Sequence, residues 1–433
     1  MPTTASQGLA AHKDGSIGDL VAGFSALWWE SDTGTLPLTD TYSDSQRSSR
    51  EAHFQHFVDT MSEELKRVPR TKEQRGATRE RIMSAFGEFA RYALGFKERH
   101  LDLLLSPSGF TQVGVEFTQA ARRFDPAVTA SDIFQAMRNA WAMNGLQAMW
   151  GLPVTLTPAV FAYSMLYPYT DNYLDDPTIS VETKRSFNRR FARRLTGKDV
   201  APTNAHERNI YELVGMIEGQ YQRSQYPQVY ESLLAIHRAQ EKSLLLLNRA
   251  ASPYEVDALG ISFEKGGGSV LADGYLVAGS VTEAQAEFLF GYGTFLQLAD
   301  DLQDVTTDSR DGLQTIFSQT LGRWPLDAVT NRLFNYGWKV MQLAECFDSP
   351  KADVLKELMA NSGVSLVMNA AGAASEFYSD TYIEELESNS PFRFSFLREM
   401  REKHAGQRGS LMRMIEAFSR KEAVSGQLSA ISG

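Results

Sequence analysis

Apolar residues recur every three to four positions along most of this chain, and alternation of the strand type is scarce. The spacing of Ile82, Phe86, Phe89 and Leu94 predicts a helix over 75–105. Ile133, Met137, Trp141 and Met149 predict another over 131–149, and Leu233, Leu234 and Leu244 one over 229–248. The clearest helix is expected at 282–306. It opens on Thr282-Glu283-Ala284-Gln285, a sequence in which hydroxyl and amide side chains satisfy the first free N–H groups, and Gly279 just upstream is placed to end the helix before it. The 15 prolines fall mostly between these segments, so the pattern predicts an all-α fold. No internal repeat or composition shift marks a linker. The expected organisation is a polar, frayed tail at 1–16, a helical extension at 17–130 packed on the core, and an α-helical bundle at 131–433.

Composition narrows the function classes. Hydrophobic residues make up 43% of the 433, enough for a large core. The net charge of −10 and the absence of a long basic run exclude an ordinary nucleic-acid surface. Cys346 is the only cysteine, which rules out an intramolecular disulfide and a cysteine-based zinc site. No apolar run reaches the roughly 18 residues of a membrane span, and the first residues lack the blocks of a signal peptide. A cytoplasmic protein without stable membrane insertion is expected.

Against that background two acidic runs stand out. The first is Asp171-Asn172-Tyr173-Leu174-Asp175-Asp176, which follows an aromatic stretch containing Tyr163, Tyr167 and Tyr169. The second is Asp300-Asp301-Leu302-Gln303-Asp304, inside the capped helix. Residues four apart share a helix face, so Asp171 pairs with Asp175 and Asp300 with Asp304. Like charges so placed cost a few tenths of a kcal/mol unless a cation lies between them. Mg²⁺ suits such a place, because it takes hard oxygen ligands and is held by one or two carboxylates plus substrate phosphates. A solvated acidic face is the ordinary alternative for either run alone. The apolar neighbours of the second run (Phe288, Leu289, Phe295, Leu298) weigh against it, since carboxylates near a buried stripe are costly without a partner.

Gly293-Thr294-Phe295-Leu296-Gln297-Leu298-Ala299-Asp300-Asp301-Leu302-Gln303-Asp304 resembles the second aspartate-rich region of trans-type prenyl diphosphate synthases, with Leu296 splitting the family's Phe-Gln pair. Lys265, ahead of the small residues 266–278, resembles the family's diphosphate-binding lysine, and the interval between the two acidic runs is also the family's. The resemblance covers about 130–320. It implies a class I isoprenoid-synthase-like helical bundle around a central cavity, with extra N-terminal helices here, and a homodimer. It implies Mg²⁺, three ions with the diphosphate, bound by Asp171, Asp175 and Asp176 on one side and Asp300, Asp301 and Asp304 on the other. Asn172, Gln297 and Lys265 would meet the diphosphate or its waters, and Asp301 would orient its neighbours. Tyr167 and Phe295, with Tyr163, Tyr169 and Phe290, are candidates for an aromatic wall facing a carbocation, because aromatic faces attract cations by roughly 2 kcal/mol when desolvated. Ordinary core packing is the alternative for each.

The departures from the family decide between two reactions. Chain-elongating members begin the first run with two aspartates and follow it with an arginine pair for a second diphosphate. Here the second position is Asn172, and Ser180 and Val181 stand where the arginines would be. Arg189-Arg190 and Arg193-Arg194 come too late and read as a solvated basic face. Past the second run, Arg310 and Asp311 stand where elongators carry lysines. A chain able to ionise one diphosphate but not to hold a second is expected to be a terpene cyclase acting on farnesyl diphosphate. It resembles a divergent fungal group of sesquiterpene cyclases that includes humulene synthases. The alternatives are a trans-prenyl diphosphate synthase consuming isopentenyl diphosphate, and a non-catalytic subunit on the same fold. His53 and His56 read as a surface pair, Lys265-Gly266-Gly267-Gly268 not as a phosphate loop, Cys346 as core, and Arg393 and Arg398 as surface residues.

Overall fold

Hydroxyl side chains set where the helices start. Ser16, Ser43, Thr71, Thr129 and Thr282 each accept a hydrogen bond from the backbone N–H three residues on, and the residue there bonds back to the cap. The computed structural model describes residues 16–404 apart from 35, 37, 39, 68, 70, 107, 108, 177 and 248–255, so the expected tail lies outside the described residues except for Ser16. Among the described residues the protein is all-α, with no strand. No described helix is long and apolar enough to cross a membrane.

The sequence expectations hold in outline and fail at joints. The helix expected at 131–149 runs Ala130–Met149, and that at 229–248 runs Pro227–Ser243 before tightening into a 3₁₀ turn at Leu244–Leu247. The single helix expected over 75–105 is instead broken. Lys72–Glu88 is α-helical, Phe89–Ala93 widens to a π turn, and a new helix begins at Glu98. The cause is local: Gly95 takes a φ of +76°, and Arg50 donates to the Ala93 carbonyl at 2.6 Å, capping the turn from outside. The helix expected over 282–306 ends at Gln303, and a second one, Val305–Asp311, follows from Asp304. Gly279 does end the preceding helix, at φ +76°.

The chain divides into two compact units. One comprises 1–39, 223–347 and 359–385, and the other 40–222, 348–358 and 386–433. In the first, the helices Ala258–Ala278 and Glu283–Gln303 pack so closely that side chains are excluded at their crossing. A Cβ on Gly293 would lie 2.8 Å from the Gly266 carbonyl carbon, and one on Gly267 would lie 2.7 Å from the Phe290 ring. Helix Ile17–Trp29 closes this core, with Phe24 against Phe290 and Trp28 edge-on to Tyr336.

In the second unit, helix Pro158–Asp175 packs against Ala130–Met149 and Ala205–Gln220. Pro158 begins it, and Pro168 interrupts its ladder one turn before Asp171. Just beyond, Thr170 Oγ1 donates to the Leu166 carbonyl at 2.8 Å. Ion pairs secure the rest of this unit. Glu357 binds Lys97, Arg99 and His100, which hold its carboxyl down at about 2, led by the Lys97 hydrogen bond.

Candidate functional site

The helix Glu283–Gln303 carries the second acidic run to its C-terminal end, where the two halves of the run separate by exposure. Asp300 and Asp304 are exposed, and Asp301 is buried. One residue is a 100° step around a helix, so Asp301 turns inward while its neighbours face out. Ser262 Oγ, on the adjacent helix, donates to Asp301 Oδ2 at 3.0 Å, and Gln297 Nε2 donates to Oδ1 at 2.8 Å. Burial pushes Asp301 up to about 6, against the pull of those hydrogen bonds and of the Lys265 charge. Gln297 therefore spends its amide on Asp301, on the inward side of the helix.

Asp304 sits at the joint between the helices. Its N–H bonds the Asp300 carbonyl at 2.9 Å, and its own carbonyl accepts from the Asp308 N–H at 2.8 Å. Asp308 was assigned no role from the sequence. It is buried, and burial together with the charges of Asp301, Asp304 and Asp300 pushes it up to about 7. Extending the four-residue spacing by one turn beyond Asp304 finds it. Ser262 was missed as well, and no signal in its own sequence marks it.

Lys265 lies inside helix Ala258–Ala278 and is half-buried; the helix begins well upstream of the small residues it was expected to precede. Its charge draws down both Asp301 and Asp308, so it shares their electrostatic neighbourhood. The three glycines after it are helical, not a loop, and Gly266 and Gly267 serve the close crossing described above, whereas a Cβ on Gly268 would meet open space. Phe295 is wedged in the core, with Gly337 and Gly363 leaving room for its ring.

The first acidic run ends helix Pro158–Asp175 in the other unit. Asp171 is half-buried, and Thr170 Oγ1 donates to its Oδ1 at 3.3 Å. Asn172 is exposed and its Nδ2 donates to Asp132 Oδ1 at 2.9 Å. The side chain of Asp175 lies outside what the structure describes. Asp176 follows the helix; its Oδ1 accepts from the Thr178 N–H and hydroxyl at 2.8 and 2.7 Å, and the hydroxyl bond leads in lowering its pKa. Tyr167 is half-buried, whereas Tyr169 is buried and donates to Asp125 at 2.5 Å. Tyr173 stacks on His206 with ring centres 4.7 Å apart.

The arginine pairs are not simply a solvated face. Arg190 binds the buried Glu207, and Arg194 forks onto both oxygens of Glu218 at 2.7 and 2.5 Å. Only their neighbours Arg189 and Arg193 are exposed. Arg393 is tied down likewise, donating to both Glu51 oxygens at 3.1 and 2.6 Å. His53 stacks on Tyr92.

Among the described residues, no group of three or more His, Cys, Asp or Glu side chains is arranged to hold a metal ion. A closed all-protein cage is thus not formed. Mg²⁺ asks for less, because it keeps several waters and takes one or two carboxylates plus phosphate oxygens. The outward donors, Asp300 and Asp304, are hard carboxylate oxygens, and the charge of Lys265 draws down the buried Asp301 and Asp308 beside them. That donor set fits Mg²⁺. Comparison of the chain with family models, with curated proteins and with solved structures finds no match in any of the three.

Proposed function

We propose that this chain is a class I terpene cyclase, which ionises farnesyl diphosphate with Mg²⁺ and closes the carbocation to a sesquiterpene of the humulene type, releasing diphosphate. The observation that carries the reading is the split of the second acidic run. Asp300 and Asp304 face outward as a pair while Asp301 is anchored between Ser262 and Gln297, with Lys265 in the same neighbourhood. Such anchoring fixes the end of the helix, and a fixed array of charge is what stabilises a leaving group without reorganisation.

In this reading Asp300 and Asp304 hold Mg²⁺, as do Asp171 and Asp175 by the pattern of their sequence. Bound Mg²⁺ supplies Lewis-acid charge to the departing diphosphate. Lys265 adds a direct cation. Asp301 orients Gln297 and the helix end and does not itself meet the substrate. Asp308 raises the negative potential that draws cations to the site. The homodimer and the cytoplasmic location belong to the same proposal; the homodimer rests on the resemblance, and no described helix is long and apolar enough to cross a membrane.

The locked arginines favour cyclisation over elongation. Arg190 and Arg194 are engaged with Glu207 and Glu218, so each pair has one member withdrawn from any second diphosphate. The test is product analysis after incubation with farnesyl diphosphate and Mg²⁺, with and without isopentenyl diphosphate. A hydrocarbon from farnesyl diphosphate alone is the expected product. Consumption of isopentenyl diphosphate into a longer diphosphate would make the chain an elongating synthase and overturn the reading.

A further inference from the structure

Asn172 is the position where this chain departs from the paired aspartates of elongating synthases, and its partner gives the departure a physical cause. Its amide donates to Asp132 Oδ1 at 2.9 Å, across 40 residues of sequence. Asp132 is already committed on its other oxygen. Oδ2 accepts from the Thr129 hydroxyl at 2.7 Å and from the Thr129 N–H at 3.3 Å, forming the capping box of helix Ala130–Met149. The carboxylate therefore has one oxygen for the cap and one for the neighbouring helix, and it needs a donor on each side. An aspartate at 172 would set two carboxylates against each other about a hydrogen bond apart.

The same short connection holds the motif helix a second time. Asp125, which ends the helix before it, accepts from the Tyr169 hydroxyl at 2.5 Å and from Asn209 at 3.5 Å. Tyr169 and Asn172 lie three apart and bracket Asp171. The last turns of Pro158–Asp175 are thus tied to the 125–132 connection at two points, immediately beside the first metal-binding aspartate of the proposed site. A two-point tie is what a helix end needs after Pro168 has removed a rung of its ladder.

We infer that Asn172 is a positioning residue whose amide is required by Asp132, and that the Asn172–Asp132 pair sets the direction in which Asp171 is presented. Asparagine at this position is then not a decayed metal ligand but one half of a matched pair. The inference rests on the cyclase reading for its activity readout, and on geometry alone for its structural one.

The test is a reciprocal exchange. Wild type, Asn172→Asp, Asp132→Asn and the double variant Asp132→Asn/Asn172→Asp are compared for turnover of farnesyl diphosphate, for Mg²⁺ demand and for melting temperature. Asn172→Asp is expected to lose about tenfold or more in kcat and to need more Mg²⁺, with KM for farnesyl diphosphate within about threefold, as positioning partners of metal ligands do. In the double variant the amide of residue 132 donates to the new carboxylate while its oxygen keeps the Thr129 cap, so kcat returns to within about threefold of wild type. Asn172→Asp at wild-type rate and Mg²⁺ demand overturns the inference, and so does a double variant no better than the single one. If Asn172→Asp fails to fold, the double variant decides: folding with turnover supports the pair, and failure to fold refutes it. Absence of any turnover in wild type would sink the cyclase reading instead. The pair would then be judged on melting temperature, where recovery in the double variant supports it and additive losses refute it.

Discussion

Each acidic run sets two aspartates four residues apart, yet the two runs are built in opposite ways. The second is embedded: its helix crosses a neighbour at glycines, Asp301 is buried on Ser262 and Gln297, and Asp308 is buried a turn further on. The first is tethered: it ends a proline-interrupted helix, and side-chain bonds to Asp125 and Asp132, about 40 positions away in sequence, hold it from outside. Embedding makes a carboxylate costly to ionise and rigid. Tethering leaves it dependent on one or two hydrogen bonds. The difference teaches that a shared motif fixes which atoms are offered, while the packing beneath it fixes the electrostatic cost of offering them.

If embedding is what holds the second run, the glycine crossing should be its most sensitive point. Gly293→Val would drive a branched side chain into the Gly266 backbone, and we expect a loss of about 3 kcal/mol or more, read as a collapsed melting transition. Next in size is Asp300→Ala. Because Asp300 is exposed, melting should barely change, while turnover should fall by about 10² or more. A large loss of stability there would break the division of labour between the outward and inward aspartates.

The pH dependence of stability sharpens the comparison further. Asp301 and Asp308 sit above their unfolded values, up to about 6 and about 7, through burial first, with the Asp300 charge adding to the first and the charges of Asp301, Asp304 and Asp300 to the second. A raised folded pKa means that the protonated form is favoured by folding. The stabilisation is full below about pH 4, and is lost as pH rises through about 6 and 7. Asp308→Asn should therefore raise stability at pH 8 by about 1–2 kcal/mol and leave it unchanged at pH 4, as measured by denaturant titration at the two values. Asp176, with its pKa lowered by Thr178, should give no such gain on neutralisation. The smallest effect is expected from single hydrogen bonds, one in each run. Ser262→Ala and Tyr169→Phe each remove one hydrogen bond to a carboxylate and should cost about 1 kcal/mol each.

Much of this was legible before any coordinates. The Thr282 cap, the helix at 131–149 and the sharing of one face by Asp300 and Asp304 follow from period and capping chemistry alone, whereas the exposure of that face runs against the buried stripe expected from its apolar neighbours. The sideways direction of Asp301 follows from the helical step. The joint at Asp304 was not legible, because nothing in local propensity opposes a continuous helix there, while at Gly95 the glycine was a local signal for the break that the apolar period overrode. Arg50 reaches Ala93 from another helix, and no window of sequence contains both. Ser262 and Asp132 were missed for the same reason. Each is ordinary within its own helix and acquires a role only through a partner about 40 positions away. The arginine pairs misled in the other direction, since a basic run reads as solvated until Glu207 and Glu218 are seen beside it.

The central claim is that both acidic runs, embedded and tethered, serve Mg²⁺-dependent recognition of diphosphate. Calorimetric titration of inorganic diphosphate into wild type, Asp171→Ala and Asp300→Ala, each with and without Mg²⁺, tests it most directly. The account predicts binding to wild type only when Mg²⁺ is present, and its loss in both variants while each keeps its melting transition. Diphosphate binding that ignores Mg²⁺, or that survives in either folded variant, would contradict it.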